Sequence, residues 1–147
     1  MSFTLGIALA LSAVLGTSSA QVAVEPQQMP QAQTVQQYVQ TYFADEPVMI
    51  AIAGCESHFE QLDKDGKVIK NPNSSAVGVF QIMASIHAGS ADQKLGLNIY
   101  TLQGNAAYAR YLYESQGTAP WNDSKSCWGK TAAAKALAAS STLAIAK

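Results

Sequence analysis

The residue best equipped for chemistry in this chain is Glu56, which follows the apolar run Val48-Met49-Ile50-Ala51-Ile52-Ala53 and sits within Cys55-Glu56-Ser57-His58-Phe59. A carboxyl group lodged among apolar side chains is pushed towards its neutral form, so it can keep a proton at neutral pH and deliver it as a general acid. Alone, such a Glu would read as a helix-end carboxylate facing solvent. Its company argues otherwise: Ser74-Ser75-Ala76-Val77-Gly78-Val79-Phe80-Gln81-Ile82 follows, and then Asn105 ahead of Tyr108, Tyr111, Leu112 and Tyr113. Glu60, Asp63, Asp65 and Asp92 offer themselves as a second carboxylate, yet none belongs to a motif and all four read as solvated surface groups. His87 lies in a helix end without a second ligand nearby, and both it and His58 read as structural imidazoles.

These residues need elements to hold them. Thr34-Val35-Gln36-Gln37 fits a capping box, and Val35, Tyr38, Val39 and Tyr42 recur at helical spacing, which predicts a first amphipathic helix over 35–43. Asp45 is placed to cap a second helix with Pro47 in its first turn, where a missing N–H costs nothing. That helix is apolar nearly all round, so it belongs in the centre of the fold with Glu56 at its C-terminal end. In the next stretch, QLDKDGKVIKNPNSS, Asp65-Gly66 is a turn signal between two short β-like segments and predicts a small hairpin. Asp63, Asp65 and Gly66 lack the other ligands of a calcium loop, so a plain turn is expected there. Further helices are expected over 80–87 and 103–116, and the Ala-rich stretch from Thr131 reads either as a last helix or as a frayed extension.

With 147 residues, 48% apolar and 13% charged, the chain can build one compact core. A net charge of −1 without a basic stripe argues against nucleic acid as a partner, because that affinity comes from many Lys/Arg–phosphate contacts. The apolar run over 4–15, followed by Ser18-Ser19-Ala20, reads as a signal peptide over 1–20 and implies export, although no basic residue precedes it. Left uncleaved, the segment would anchor the protein to a membrane. A Gln/Pro linker over 21–33, a domain over 34–130 and a tail over 131–147 complete the expected organisation, and a monomer is expected. An even cysteine count, Cys55 and Cys127, favours one disulfide in an exported chain over a metal site. Trp121 and Trp128 have faces that can stack on sugar rings, but beside a disulfide they read as core aromatics.

Taken together, Glu56-Ser57, the Ser-rich turn running into Gly78-Val79-Phe80-Gln81, and Asn105 before a Tyr-bearing helix resemble the soluble lytic transglycosylase domain family. Gly117-Thr118-Ala119-Pro120-Trp121 leading to Cys127-Trp128 is similar to its shorter members and to resuscitation-promoting factors, and the resemblance spans about residues 34–128. The resemblance implies a predominantly α-helical α+β fold, a lysozyme-like domain with a small β-hairpin, and pairing of Cys55 with Cys127. It implies cleavage of the β-1,4 bond between N-acetylmuramic acid and N-acetylglucosamine in peptidoglycan glycan strands, with Glu56 as the only catalytic carboxyl and no metal or organic cofactor. Gln81, Ser74 or Ser75, and Asn105 would bind substrate, Gly78 would let the backbone approach the sugar, and Tyr111 or Tyr108 would hydrogen-bond Glu56. Two rivals remain: a muramidase that uses water, which needs a second carboxylate, and a glycan-binding protein of the same fold without turnover.

Overall fold

The computed structural model describes residues 32–145. The expected signal peptide over 1–20 and all but the last two residues of the linker over 21–33 lie outside the described residues. The chain runs through α1 (Val35–Tyr42), α2 (Pro47–Ser57), β1 (Ala76–Val77), β2 (Ile82–Met83), α3 (Ala84–Leu95), α4 (Leu102–Gln116), a 3-10 turn (Ala119–Ser124), α5 (Lys125–Trp128) and α6 (Ala132–Ile145). The described residues are mostly helical, with one small antiparallel sheet.

Helix α1 starts on the expected capping box, with Thr34 Oγ1 accepting from Gln37 N at 3.2 Å and Gln37 Oε1 accepting from Thr34 N at 2.9 Å. Helix α2 takes the central place its all-round apolar sequence demands, packing against α1, α5, α6 and the 3-10 turn. Its residues Val48, Met49, Ile52 and Ala53 join Val39, Phe43, Phe80 and Ile99 in the core. Asp45 does not cap α2. The N-cap is Glu46, without a side-chain bond, and Asp45 instead pairs with Arg110 of α4 at 3.0 Å. Arg110 also pairs with Glu46 at 3.3 Å, donates to the Tyr42 carbonyl and lies over the Tyr42 and Phe43 rings. A guanidinium's planar fork suits this fastening of the α1–α2 corner to α4 better than a cap would.

Two expected elements shift. The hairpin about Asp65-Gly66 shrinks to a single bridge, Leu62 with Val68. There Asp63 Oδ1 accepts from both Asp65 N and Lys67 N at 2.9 Å, a local side-chain bond that competes with a ladder. The sheet forms further along, with Ala76 opposite Met83 and Val77 opposite Ile82. The helix expected over 80–87 therefore begins only at Ala84, because Gln81 takes a left-handed φ of 48° and Ile82–Met83 pair with β1. It ends on Gly96 at φ 63°, whose N–H reaches the Ala91 and Asp92 carbonyls.

The Ala-rich stretch forms α6, which packs on α2, with Ala134 in the core and Ala133 and Leu137 against it. Cys55 and Cys127 are joined, with their Cα atoms 6.1 Å apart. Among the described residues no helix is long and apolar enough to cross a membrane.

Candidate active site

Glu56 occupies the last turn of α2, and three ties fix that turn. Cys55 is bonded to Cys127 of α5. Ser57 Oγ is buried and donates to the Val79 carbonyl at 2.8 Å, with the Ala53 carbonyl at 3.2 Å. The chain then leaves the helix through two consecutive left-handed residues, His58 at φ 56° and Phe59 at φ 63°. A non-glycine residue in that region costs about 1–3 kcal/mol and persists only where its surroundings over-determine it. Gln81 is the third such residue among the described residues, and the Ser57–Val79 bond joins the two strained turns. Backbone strain thus gathers around Glu56, as it does around functional sites in general.

The Glu56 carboxyl is half-buried, and Ser124 Oγ donates to its Oε1 at 2.6 Å. The Trp121 carbonyl lies 3.1 Å from the same hydroxyl, whose single proton favours the nearer, more strongly accepting carboxyl oxygen. Burial pushes the Glu56 pKa above the ordinary glutamate range; the Ser124 hydrogen bond opposes this, and the Asp123 carboxylate adds to it. The net direction is upward, so the carboxyl keeps its proton to higher pH than a solvated Glu. A proton held in this way can be passed to a leaving oxygen and recovered later.

Through the Ser57–Val79 bond, the turn after Glu56 adjoins a buried polar scaffold. Asn105 is fully buried: its Oδ1 accepts from Phe80 N at 2.9 Å, and its Nδ2 donates to the Val77 and Ile99 carbonyls at 3.0 and 2.8 Å. The substrate-binding role expected for Asn105 is therefore corrected, since its amide is occupied by backbone and no solvent reaches it. Gly78 is part of the same scaffold. At φ 71°, a Cβ there would come within 2.5 Å of Asn105 Nδ2 and 2.9 Å of Gln61 Oε1, so the scaffold itself requires glycine. Gln61, which the sequence did not single out, is buried and joins Val79 N to the Tyr100 carbonyl. Replacing Asn105 by Ala strands one N–H and two carbonyls; at about 1–3 kcal/mol for a buried unsatisfied group, we expect a loss of about 3 kcal/mol in urea unfolding.

The remaining candidates separate. Gln81 is half-buried beside the strained turn, and its Nε2 donates to the Gly78 carbonyl at 2.9 Å, while its Oε1 has no partner among the described residues. Ser75 shares a 2.7 Å hydrogen bond with Ser85 and accepts from Ser85 N, tying the turn to the start of α3. Ser74 is exposed and accepts from Ala76 N at 3.2 Å. Tyr108 is buried, with its hydroxyl 3.1 Å from His87 Nδ1, and Tyr111 is 44% exposed with its ring centroid 5.6 Å from that of Tyr108. The hydrogen bond expected from Tyr111 or Tyr108 to Glu56 comes instead from Ser124.

Trp121 and Trp128 are buried, and their indole N–H groups donate to the Phe80 and Trp121 carbonyls. Glu60, Asp63, Asp65 and Asp92 are exposed, and none of them perturbs Glu56, whereas Asp123 does. Sequence reasoning passed over Asp123 and Ser124. A signal was present: both lie within four residues of Cys127, whose bond to Cys55 brings its neighbours to Glu56. Compared with protein-family models, curated proteins and solved structures, the chain has no match.

Proposed function

We propose that this protein is an exported peptidoglycan lytic transglycosylase of lysozyme-like fold that works on glycan strands with Glu56 as its single catalytic carboxyl. The observation that carries the reading is the half-buried Glu56 carboxyl, its proton affinity raised by burial and its orientation held by Ser124. The Cys55–Cys127 disulfide suits an oxidising compartment. In the reaction, protonated Glu56 gives its proton to the glycosidic oxygen as the bond from the muramyl C-1 breaks, releasing the N-acetylglucosamine 4-hydroxyl. The muramyl C-6 hydroxyl then closes on C-1, and its proton returns to the Glu56 carboxylate, so no water is consumed and a 1,6-anhydro end is left. Gln81, whose carbonyl oxygen has no partner among the described residues, is the side chain we assign to substrate hydroxyl or acetamido groups.

One observation favours the water-using muramidase as a second reading. Asp123 acts on Glu56 electrostatically and could serve as the base or nucleophile that a hydrolase needs. Mass analysis of released muropeptides separates the two, because the anhydro product is lighter by one water. The Asp123→Asn variant provides the matching kinetic test. On the transglycosylase reading, D123N keeps its anhydro product and loses less than about tenfold in rate, whereas removing a hydrolase's essential carboxylate costs about 100-fold or more. Products with reducing ends, together with an inert D123N, would replace the first reading by the second.

A further inference from the structure

The Ser124 hydroxyl has one proton and two acceptors within reach, Glu56 Oε1 at 2.6 Å and the Trp121 carbonyl at 3.1 Å. Whatever weakens that carbonyl as an acceptor strengthens the hold on the carboxyl. A third group meets the carbonyl: the indole N–H of Trp128 donates to it at 2.9 Å. Trp121 is also where the 3-10 turn leaves helical geometry, with φ −110° and ψ 22°. Its own indole N–H donates to the Phe80 carbonyl at 3.0 Å, so its ring is anchored independently of Trp128.

A buried indole N–H must find an acceptor, and burial alone therefore accounts for some hydrogen bond from Trp128, which is 3% exposed. It does not account for which acceptor is taken. A carbonyl oxygen has two lone pairs, and a donor on one draws electron density from the other, so a second donor is held less strongly. An ionised carboxylate is already the stronger acceptor of a hydroxyl proton. The same few residues are cross-linked, since Cys127, the neighbour of Trp128, is bonded to Cys55, the neighbour of Glu56. Trp128, the Trp121 carbonyl, Ser124 and Glu56 thus form one chain of donors and acceptors beside the disulfide.

We infer that Trp128 is a positioning residue for the Glu56 carboxyl: by occupying the Trp121 carbonyl, its indole N–H leaves the Ser124 proton to Glu56. The inference rests on the reading of Glu56 as the catalytic acid. The elements packed against α2 carry, as titratable groups, Asp123 on the 3-10 turn, Lys125 on α5, Lys135 on α6, and Tyr38 and Tyr42 on α1. Of these, Asp123 acts on Glu56, beside burial and the Ser124 bond, and no replacement at position 128 removes its charge. Without the Trp128 N–H, the Trp121 carbonyl competes for the Ser124 proton, the carboxylate loses part of its donor, and Glu56 stays protonated to higher pH.

The test is titration of the Glu56 carboxyl in the intact protein by NMR, with isotope-labelled glutamate and the signal identified by its loss in Glu56→Gln. Benzothienylalanine placed at position 128 keeps the shape of the ring system and puts sulfur where the N–H was; Trp128→Phe is the coarser variant. Either should raise the proton affinity of Glu56 by roughly threefold or more, a share of the about tenfold that a hydrogen bond to a charged group is worth. In a Ser124→Ala background the same replacements should change it by less than about twofold, because no proton is left to redirect. The wild type supplies a check that needs no replacement at 128: the Trp128 indole N–H resonance should titrate together with Glu56, and should cease to do so in S124A. An unmoved Glu56 titration, or an equal move with and without Ser124, would overturn the positioning role and leave Trp128 as core packing. If neither replacement folds, an indole resonance that ignores the titration of Glu56 overturns it alone. Strand cleavage is read separately: a titration that moves as expected in a protein that cuts no strands sinks the transglycosylase reading and leaves the positioning role intact.

Discussion

Replacing Glu56 by Gln is expected to lower strand cleavage by about 10⁴-fold, the upper end of the 10²–10⁴ range for a general acid–base group, because one carboxyl serves both proton transfers. The amide matches the carboxyl in shape, and its carbonyl can still accept from Ser124. What it lacks is a proton to give. Stability should move the other way above the ordinary glutamate range. Burial raises the Glu56 pKa in the folded state, so the folded protein binds that proton more tightly than the unfolded chain. The corresponding stability is complete below the unfolded pKa and is lost as pH rises through the higher folded pKa. The substituted amide does not titrate, so E56Q should melt with the wild type in acid and above it at neutral pH. Muropeptide release and melting temperature against pH check the two halves. Cleavage within tenfold of wild type would show that the proton comes from elsewhere. A neutral-pH melting temperature below wild type would show that the site favours the carboxylate instead.

Much of the frame that holds Glu56 was legible because it follows from local rules. The capping box at Thr34, the all-round apolar character of α2 and the even cysteine count each constrain structure within a few residues or by simple pairing. The less legible parts depend on partners far along the chain. Asn105 has the same sequence surroundings whether it faces a cleft or the core, and only the carbonyls of Val77 and Ile99 and the N–H of Phe80 decide the matter. The start of α3 is delayed by pairing with β1, so helical periodicity beginning at Phe80 misplaced it. The hairpin signal at Asp65-Gly66 was outweighed by the Asp63 side chain, which satisfies the local N–H groups itself. Ser124 was missed because an isolated serine carries no motif; its meaning comes from standing three residues before a bridged cysteine.

That placement gives the disulfide two separable jobs. The bridge joins residues 72 apart, and in the chain-entropy model a loop of that size contributes about 4 kcal/mol. Against a typical total of about 5–15 kcal/mol, its loss should lower the melting temperature by roughly 15 °C. Both Cys55→Ser and reduction of the wild type should show this. The second effect is local: α5 is only four residues long, and Cys127 fastens it beside the end of α2. Releasing it loosens Ser124, the donor that pulls the Glu56 pKa down against burial. In protein that is still folded, measured well below its lowered melting temperature, the alkaline limb of cleavage should therefore move to higher pH as the rate falls. A bridge that only stabilised the fold would lower the melting temperature and leave the limb where it was. Recording melting curves and pH–rate profiles on the same oxidised and reduced samples separates fastening the domain from tuning its acid.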